Sequence, residues 1–186
     1  MRMGTRLRLA VILALASVFG ASAQAEVETV KLSSTAFAAG ASIPPRYTCD
    51  GADVSPPLAW GDPPAGTLSF ALVVDDPDAP DPKTPRMRWV HWVVYDLPPG
   101  ARSLAEAVRS AADLPAGARM GGNDWKKAAW GGPCPPVGRH RYFFTLYALD
   151  VVLGERGALA KRELEAAIQG HVLAEAELLG TYERGR

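Results

Sequence analysis

Three short segments hold the side chains that could do chemistry. Asp75-Asp76-Pro77-Asp78-Ala79-Pro80 concentrates carboxylates and prolines, and His91 sits inside the apolar run Trp89-Val90-His91-Trp92-Val93-Val94. His140 directly follows the loop Gly131-Gly132-Pro133-Cys134-Pro135-Pro136-Val137-Gly138. A histidine inside an apolar strand must find a polar partner or carry a desolvation cost, so His91 requires a specific environment; a single backbone carbonyl would satisfy it. In the loop before His140, glycine lets the backbone approach a ligand closely and proline freezes that approach. The Asp/Pro segment reads most simply as a turn. Asp76, His91 and His140 also match the donor types of a two-His, one-carboxylate iron site, which keeps a metal-dependent enzyme as a rival. For a hydrolase, Ser55 and Ser69 are available nucleophiles, but no G-x-S-x-G elbow is present.

These segments need rigid elements to position them. Leu68–Val74 and Arg88–Leu97 are continuous apolar runs bounded by turn residues, which predicts two buried central strands. Arg139–Leu149 predicts a third, with Arg141, Phe143, Thr145 and Tyr147 on one face and Tyr142, Phe144 and Leu146 on the other. His140 and Arg141 therefore point oppositely. Val27–Phe37 and Leu58–Trp60 predict shorter strands, and Ala174–Tyr182 a last one. Ser103-Leu-Ala-Glu106 has capping-box spacing and predicts a short surface helix. Lys161–Gln169 predicts the best helix, with Gly170 as its stop and a continuation into His171-Val172-Leu173 as the alternative. Runs of strands with a few short peripheral helices predict a mainly all-β fold, a sandwich of two antiparallel sheets.

Composition narrows the function classes. The 186 residues are 48% hydrophobic, with 20 basic and 20 acidic side chains, so wholesale disorder and a general nucleic-acid footprint are both excluded. Arg2, Arg6 and Arg8, the apolar run Leu9–Phe19 and Ala23-Gln24-Ala25 have the order of a secretory leader, too short to span a bilayer. The expected organisation is a leader over 1–25 and one domain over 26–186, periplasmic or secreted, with no stable membrane insertion after cleavage. Export also bears on Cys49 and Cys134, the two cysteines of the chain. An oxidising compartment and a single possible intramolecular pairing favour a disulfide over free thiols, and no C-x-x-C pair supports a metal site.

Taken in order, Asp76-Pro77-Asp78-Ala79-Pro80, Trp89-x-His91 and Gly132-Pro133 through His140-Arg141-Tyr142 resemble the phosphatidylethanolamine-binding protein family. Asp50-Gly51-x-Asp53-Val54-Ser55-Pro56-Pro57-Leu58-x-Trp60, Asn123-Asp124-Trp125 and Gly131-Gly132-Pro133-Cys134-Pro135-Pro136 are similar to its bacterial, Raf-kinase-inhibitor-like branch. So is the segment His171-Val172-Leu173-Ala174. The resemblance implies a pocket at one end of the sandwich that takes phosphate, acetate or a phosphorylated headgroup. Carried over by motif, its ligand-binding residues are Asp76, Trp89, His91, Gly132, Pro133, His140 and Tyr142; Tyr182 matches a family tyrosine loosely. Imidazole and glycine N–H groups would donate to the anion, with Asp76 orienting one imidazole from behind. No arginine fork faces such a pocket, so modest affinity is expected. Lys126 and Lys127 depart from the branch pattern and read equally as a basic rim or as a solvated loop.

The resemblance thus implies a binding protein rather than an enzyme, with no cofactor and no metal. Its partners would be a small anionic or phosphorylated ligand and, as for some family members, a kinase or peptidase that it modulates. The alternative is a dedicated protein inhibitor acting through its surface.

Overall fold

The computed structural model describes residues 30–185, so the expected leader and its cleavage point lie outside the described residues. Strands dominate: β1 (Leu32–Ser33), β2 (Leu58–Trp60), β3 (Ser69–Asp76), β4 (Trp89–Leu97), β5 (Ser103–Leu104), β6 (Arg119–Met120), β7 (His140–Leu149) and β8 (Val172–Tyr182), with one α-helix, α1 (Lys161–Ile168). Every strand pair is antiparallel. One sheet has the order β1-β2-β5 and the other β6-β4-β3-β7-β8. No helix among the described residues is long and apolar enough to cross a membrane.

The continuous apolar runs of β3 and β4 have a clear cause. Phe70, Leu72 and Val74, with Trp92 and Val94, pack into the core between the sheets. Ala71, Val73, Val93 and Tyr95 point the other way, onto Leu164 and Ile168 of α1. Both faces are buried, so neither strand alternates. On β7, by contrast, Tyr142, Phe144 and Leu146 are buried while Arg141 is exposed, as the alternation predicts.

Three local expectations fail. The first strand is cut to Leu32–Ser33, because the Ser34 side chain bonds the Pro57 carbonyl and the Ala36 N–H and turns the chain away; Val27–Thr29 lie outside the described residues. No helix forms at Ser103. Ser103 and Leu104 pair with Ala59 and Leu58 as β5, Leu104 is buried, and Ala107 takes φ +64°. A capping box does occur nearby, in the short 3-10 helix Ala111–Asp113 capped by Ser110. At the C-terminal end, α1 stops at Ile168, Gly170 takes φ +83°, and β8 begins at Val172 rather than Ala174. Gly170 therefore ends the helix through the left-handed conformation that its missing Cβ allows. Glu163 caps α1 by accepting from the Ala160 N–H.

Candidate functional site

The site gathers where β3 ends and where β4 and β7 begin. On β3, even-numbered residues face the core between the sheets, so Asp76 faces that side and Asp75 the other. Asp75 there meets Arg88 and Lys161. On β7 the same side carries His140, Tyr142 and Phe144. β4 would be out of phase but for a bulge. Consecutive Val74 and Asp75 pair with Trp92 and Val90, leaving His91 as the extra residue. The bulge turns Trp89 and His91 to the same side as Asp76 and His140.

The two histidines are held differently. His140 is buried, its Nδ1 2.7 Å from Asp76 Oδ2 and its Nε2 3.1 Å from the Val137 carbonyl. Both nitrogens face oxygens, so the ring is fixed from two sides. Asp76 is itself satisfied, since its Oδ1 accepts the Asp78 N–H at 2.8 Å. Asp78, also buried, accepts a fork from Arg141, whose guanidinium holds the Asp78 carboxyl below its ordinary range. Arg141 thereby stabilises the turn from outside and stays away from the cleft.

His91 donates from Nδ1 to the Gly131 carbonyl at 2.6 Å, and its buried Nε2 has no partner among the described residues. Burial pushes the His91 imidazole below its ordinary value, outweighing the nearby carboxylates. The neutral ring then presents a bare Nε2 lone pair. Beneath it, Tyr142 packs edge-on at 5.2 Å between ring centroids, its hydroxyl also unpartnered. Burial, followed by the Asp76 charge, pushes that phenol far above its ordinary value, so it stays protonated.

Over these groups lies a cleft of about 470 Å³. Asp76, Trp89, His91 and His140 line it, together with Ala79, Pro80, Met87, Trp125, Cys134, Pro135 and Pro136. No lysine or arginine is among the lining residues. A second cleft of about 200 Å³, lined by Lys127, Asp53, Asn123, Trp130, Gly131, Gly132 and Cys49, shares Trp125 and Cys134 with the first.

Of the residues expected from sequence, four line the main cleft and Tyr142 lies below it. Gly132 belongs to the second cleft, and its N–H is taken by Asp53 Oδ1 at 2.8 Å. A Cβ there would meet the same oxygen at 2.3 Å, so glycine is needed for close loop packing. Pro133 lines neither cleft; its carbonyl accepts the Cys49 N–H. Cys49 and Cys134 form a disulfide, Cα–Cα 5.4 Å, joining the two loops. Lys127 borders the second cleft, whereas Lys126 borders neither. Tyr182 bonds Asp50 instead of entering the cleft, and His171 pairs with Asp150 at the other end of the strands.

Sequence reasoning missed Met87, Trp125 and the proline wall. Trp125 left a signal through the Asn-Asp-Trp segment, and the prolines through the loop before His140 and the Asp/Pro turn; Met87 left none. The rival chemistries find little support in the geometry. Among the described residues no group of three or more His, Cys, Asp or Glu could hold a metal ion, and Asp76 and His140 are hydrogen-bonded to each other. Ser55 accepts the Val108 N–H in the core, and Ser69 donates to the Val151 carbonyl.

Fold and site define an antiparallel β-sandwich with an aromatic- and proline-walled cleft at the strand ends. The sequence model for phosphatidylethanolamine-binding proteins matches residues 33–183, and the chain belongs to that family. A UPF0098 protein of Methanothermobacter thermautotrophicus is 47% identical over 84% of this chain and all of its own length. Among solved structures, a phosphatidylethanolamine-binding protein homologue from Chlamydia trachomatis aligns with TM-score 0.76 at 41% identity, covering 84% of this chain and 99% of that one. Escherichia coli YbcL, described as a member of the mammalian family, aligns with TM-score 0.75 at 30% identity over the same shares.

Proposed function

We propose that this is an exported, non-enzymatic binding protein that takes the phosphate or carboxylate end of a small ligand into the main cleft. One observation carries the reading: the buried His91 Nε2 has no partner among the described residues and belongs to a residue lining the cleft. A buried polar atom left in that state costs roughly 1–3 kcal/mol, which a ligand hydrogen bond recovers. The lone pair accepts the hydroxyl of a monoprotonated phosphate, or Nε2 gains a proton and donates to a carboxylate. Trp89, Trp125 and the prolines exclude water and contact the ligand's apolar part. Export accords with the leader-like 1–25 segment and with the disulfide, which suits an oxidising compartment. Secreted material is expected to begin at Glu26 by intact mass.

Titration with methyl phosphate at pH 6.5 tests the site. His91→Asn is expected to weaken binding about tenfold or more, since hydrogen bonds to charged groups contribute roughly 1.5–3 kcal/mol. Unchanged affinity would remove His91 from the site.

A second reading, modulation of a kinase or peptidase through the surface, is favoured by the exposure of Met87, Trp125 and Val137 around the clefts. Under it, capture of the protein target would be saturable and insensitive to phosphate.

A further inference from the structure

We infer that Trp125 is the specificity-determining wall of the cleft: it divides what would be one long groove and so sets the size of ligand admitted. The inference rests on the proposed binding site. The clefts of about 470 and about 200 Å³ both touch Trp125 and Cys134, and no other residue lines both. Trp125 stands edge-on to Trp89 at 5.3 Å and to His91 at 5.2 Å, which places it beside the ring that would meet the ligand.

The wall is built to stay put. Asp124 clips its turn to the outer edge of β4 twice, by its N–H to the Val90 carbonyl and by Oδ2 accepting the Val90 N–H. Buried Asn123 closes the turn, accepting the Lys127 N–H and donating to the Ala129 carbonyl. Gly131 completes the seat, because a Cβ at that position would lie 2.5 Å from the Trp125 ring. A missing side chain at Gly131 is therefore what lets the indole lie where it divides the clefts.

Behind the wall the smaller cleft is unused by a short ligand. It offers Lys127, whose ammonium makes no ion pair among the described residues, and the indole of Trp130. An aryl group directed from His91 toward Trp125 and Cys134 would extend into that space, and the indole occupies the way in. Discrimination by one apolar group in a pocket is commonly about 10- to 200-fold.

The test compares methyl phosphate with 1-naphthyl phosphate on the full chain, reading the ratio of their affinities. Trp125→Ala is expected to shift the ratio toward the naphthyl ester at least about tenfold, whatever it does to both affinities together. Trp125→Phe should leave the ratio within about threefold of wild type, and Gly131→Ala, which displaces the indole, should move it in the same direction as Trp125→Ala. A purely structural role would lower both affinities and leave the ratio alone. If wild type binds methyl phosphate but the ratio is unchanged in Trp125→Ala and Gly131→Ala, the wall assignment is overturned while the binding site stands. If wild type does not bind methyl phosphate, both fall.

Discussion

Acetate binding should draw one proton from solution. In the free protein, burial holds the His91 imidazole below its ordinary value of about 6.5, and its one proton sits on Nδ1 against the Gly131 carbonyl. An acetate ion reaching Nε2 meets a lone pair, so Nε2 must be protonated for a hydrogen bond to form. The bound state thus has the higher His91 pKa and binds the extra proton; affinity rises as pH falls. Where the free ring is neutral and the bound ring charged, the dependence is tenfold per pH unit, about 1.4 kcal/mol. Between pH 8 and pH 6.5 this amounts to at most about 30-fold, flattening below the free-state pKa and above the bound-state one. Titrations followed by NMR give the affinities, and the His91 ring nitrogen shifts report protonation directly. His91→Asn keeps a donor for the Gly131 carbonyl and should show a flat profile. A flat profile in wild type, or tighter binding at higher pH, would refute the reasoning.

Asp76→Ala should weaken acetate binding although it removes a negative charge, because the Asp76 charge favours the protonated His91 ring that acetate needs; it should also cost roughly 1–3 kcal/mol of stability, since the buried His140 Nδ1 and Asp78 N–H lose their acceptor, read by chemical denaturation. Tighter acetate binding in that variant would contradict this electrostatic role. The Cys49–Cys134 bridge spans 85 residues, for which chain entropy gives roughly 4–5 kcal/mol, so reduction should lower the thermal midpoint and weaken ligand binding, since Cys134 borders both clefts. Alkylation of either cysteine in denatured, unreduced protein would count against the bridge. His171→Ala should leave ligand affinity within about twofold, because its partner Asp150 lies at the opposite strand ends and exposed ion pairs contribute roughly 0.2–1 kcal/mol.

Much of the molecule is written locally. Apolar runs bounded by Asp, Pro and Gly mark β3, β4 and β7 because a strand buried on both faces must be apolar throughout. The amphipathic spacing of Leu164 and Ile168 marks α1, and Gly170 marks its end, since helix signals act within a few residues. Two cysteines allow a single pairing. The motif residues Asp76, His91 and His140 were likewise legible, along with Trp89 beside them.

What tertiary structure decided depends on partners distant in the chain. The capping-box spacing at Ser103 lost to pairing with β2, whose Leu58 and Ala59 lie more than forty positions earlier. The extra residue at His91 shows only in the register between β3 and β4, and that slip alone brings Trp89 and His91 into phase with Asp76 and His140. Gly132 spends its N–H on Asp53 and His140 its Nε2 on Val137, so the nitrogen left for a ligand is the Nε2 of His91. Trp125 becomes a wall because Gly131 leaves room for it beside β4. Motifs name the residue types a site needs; which polar atoms remain unspent is settled by neighbours that meet only when the sheets close, because hydrogen-bond satisfaction in a core is a property of contacts and not of sequence spacing.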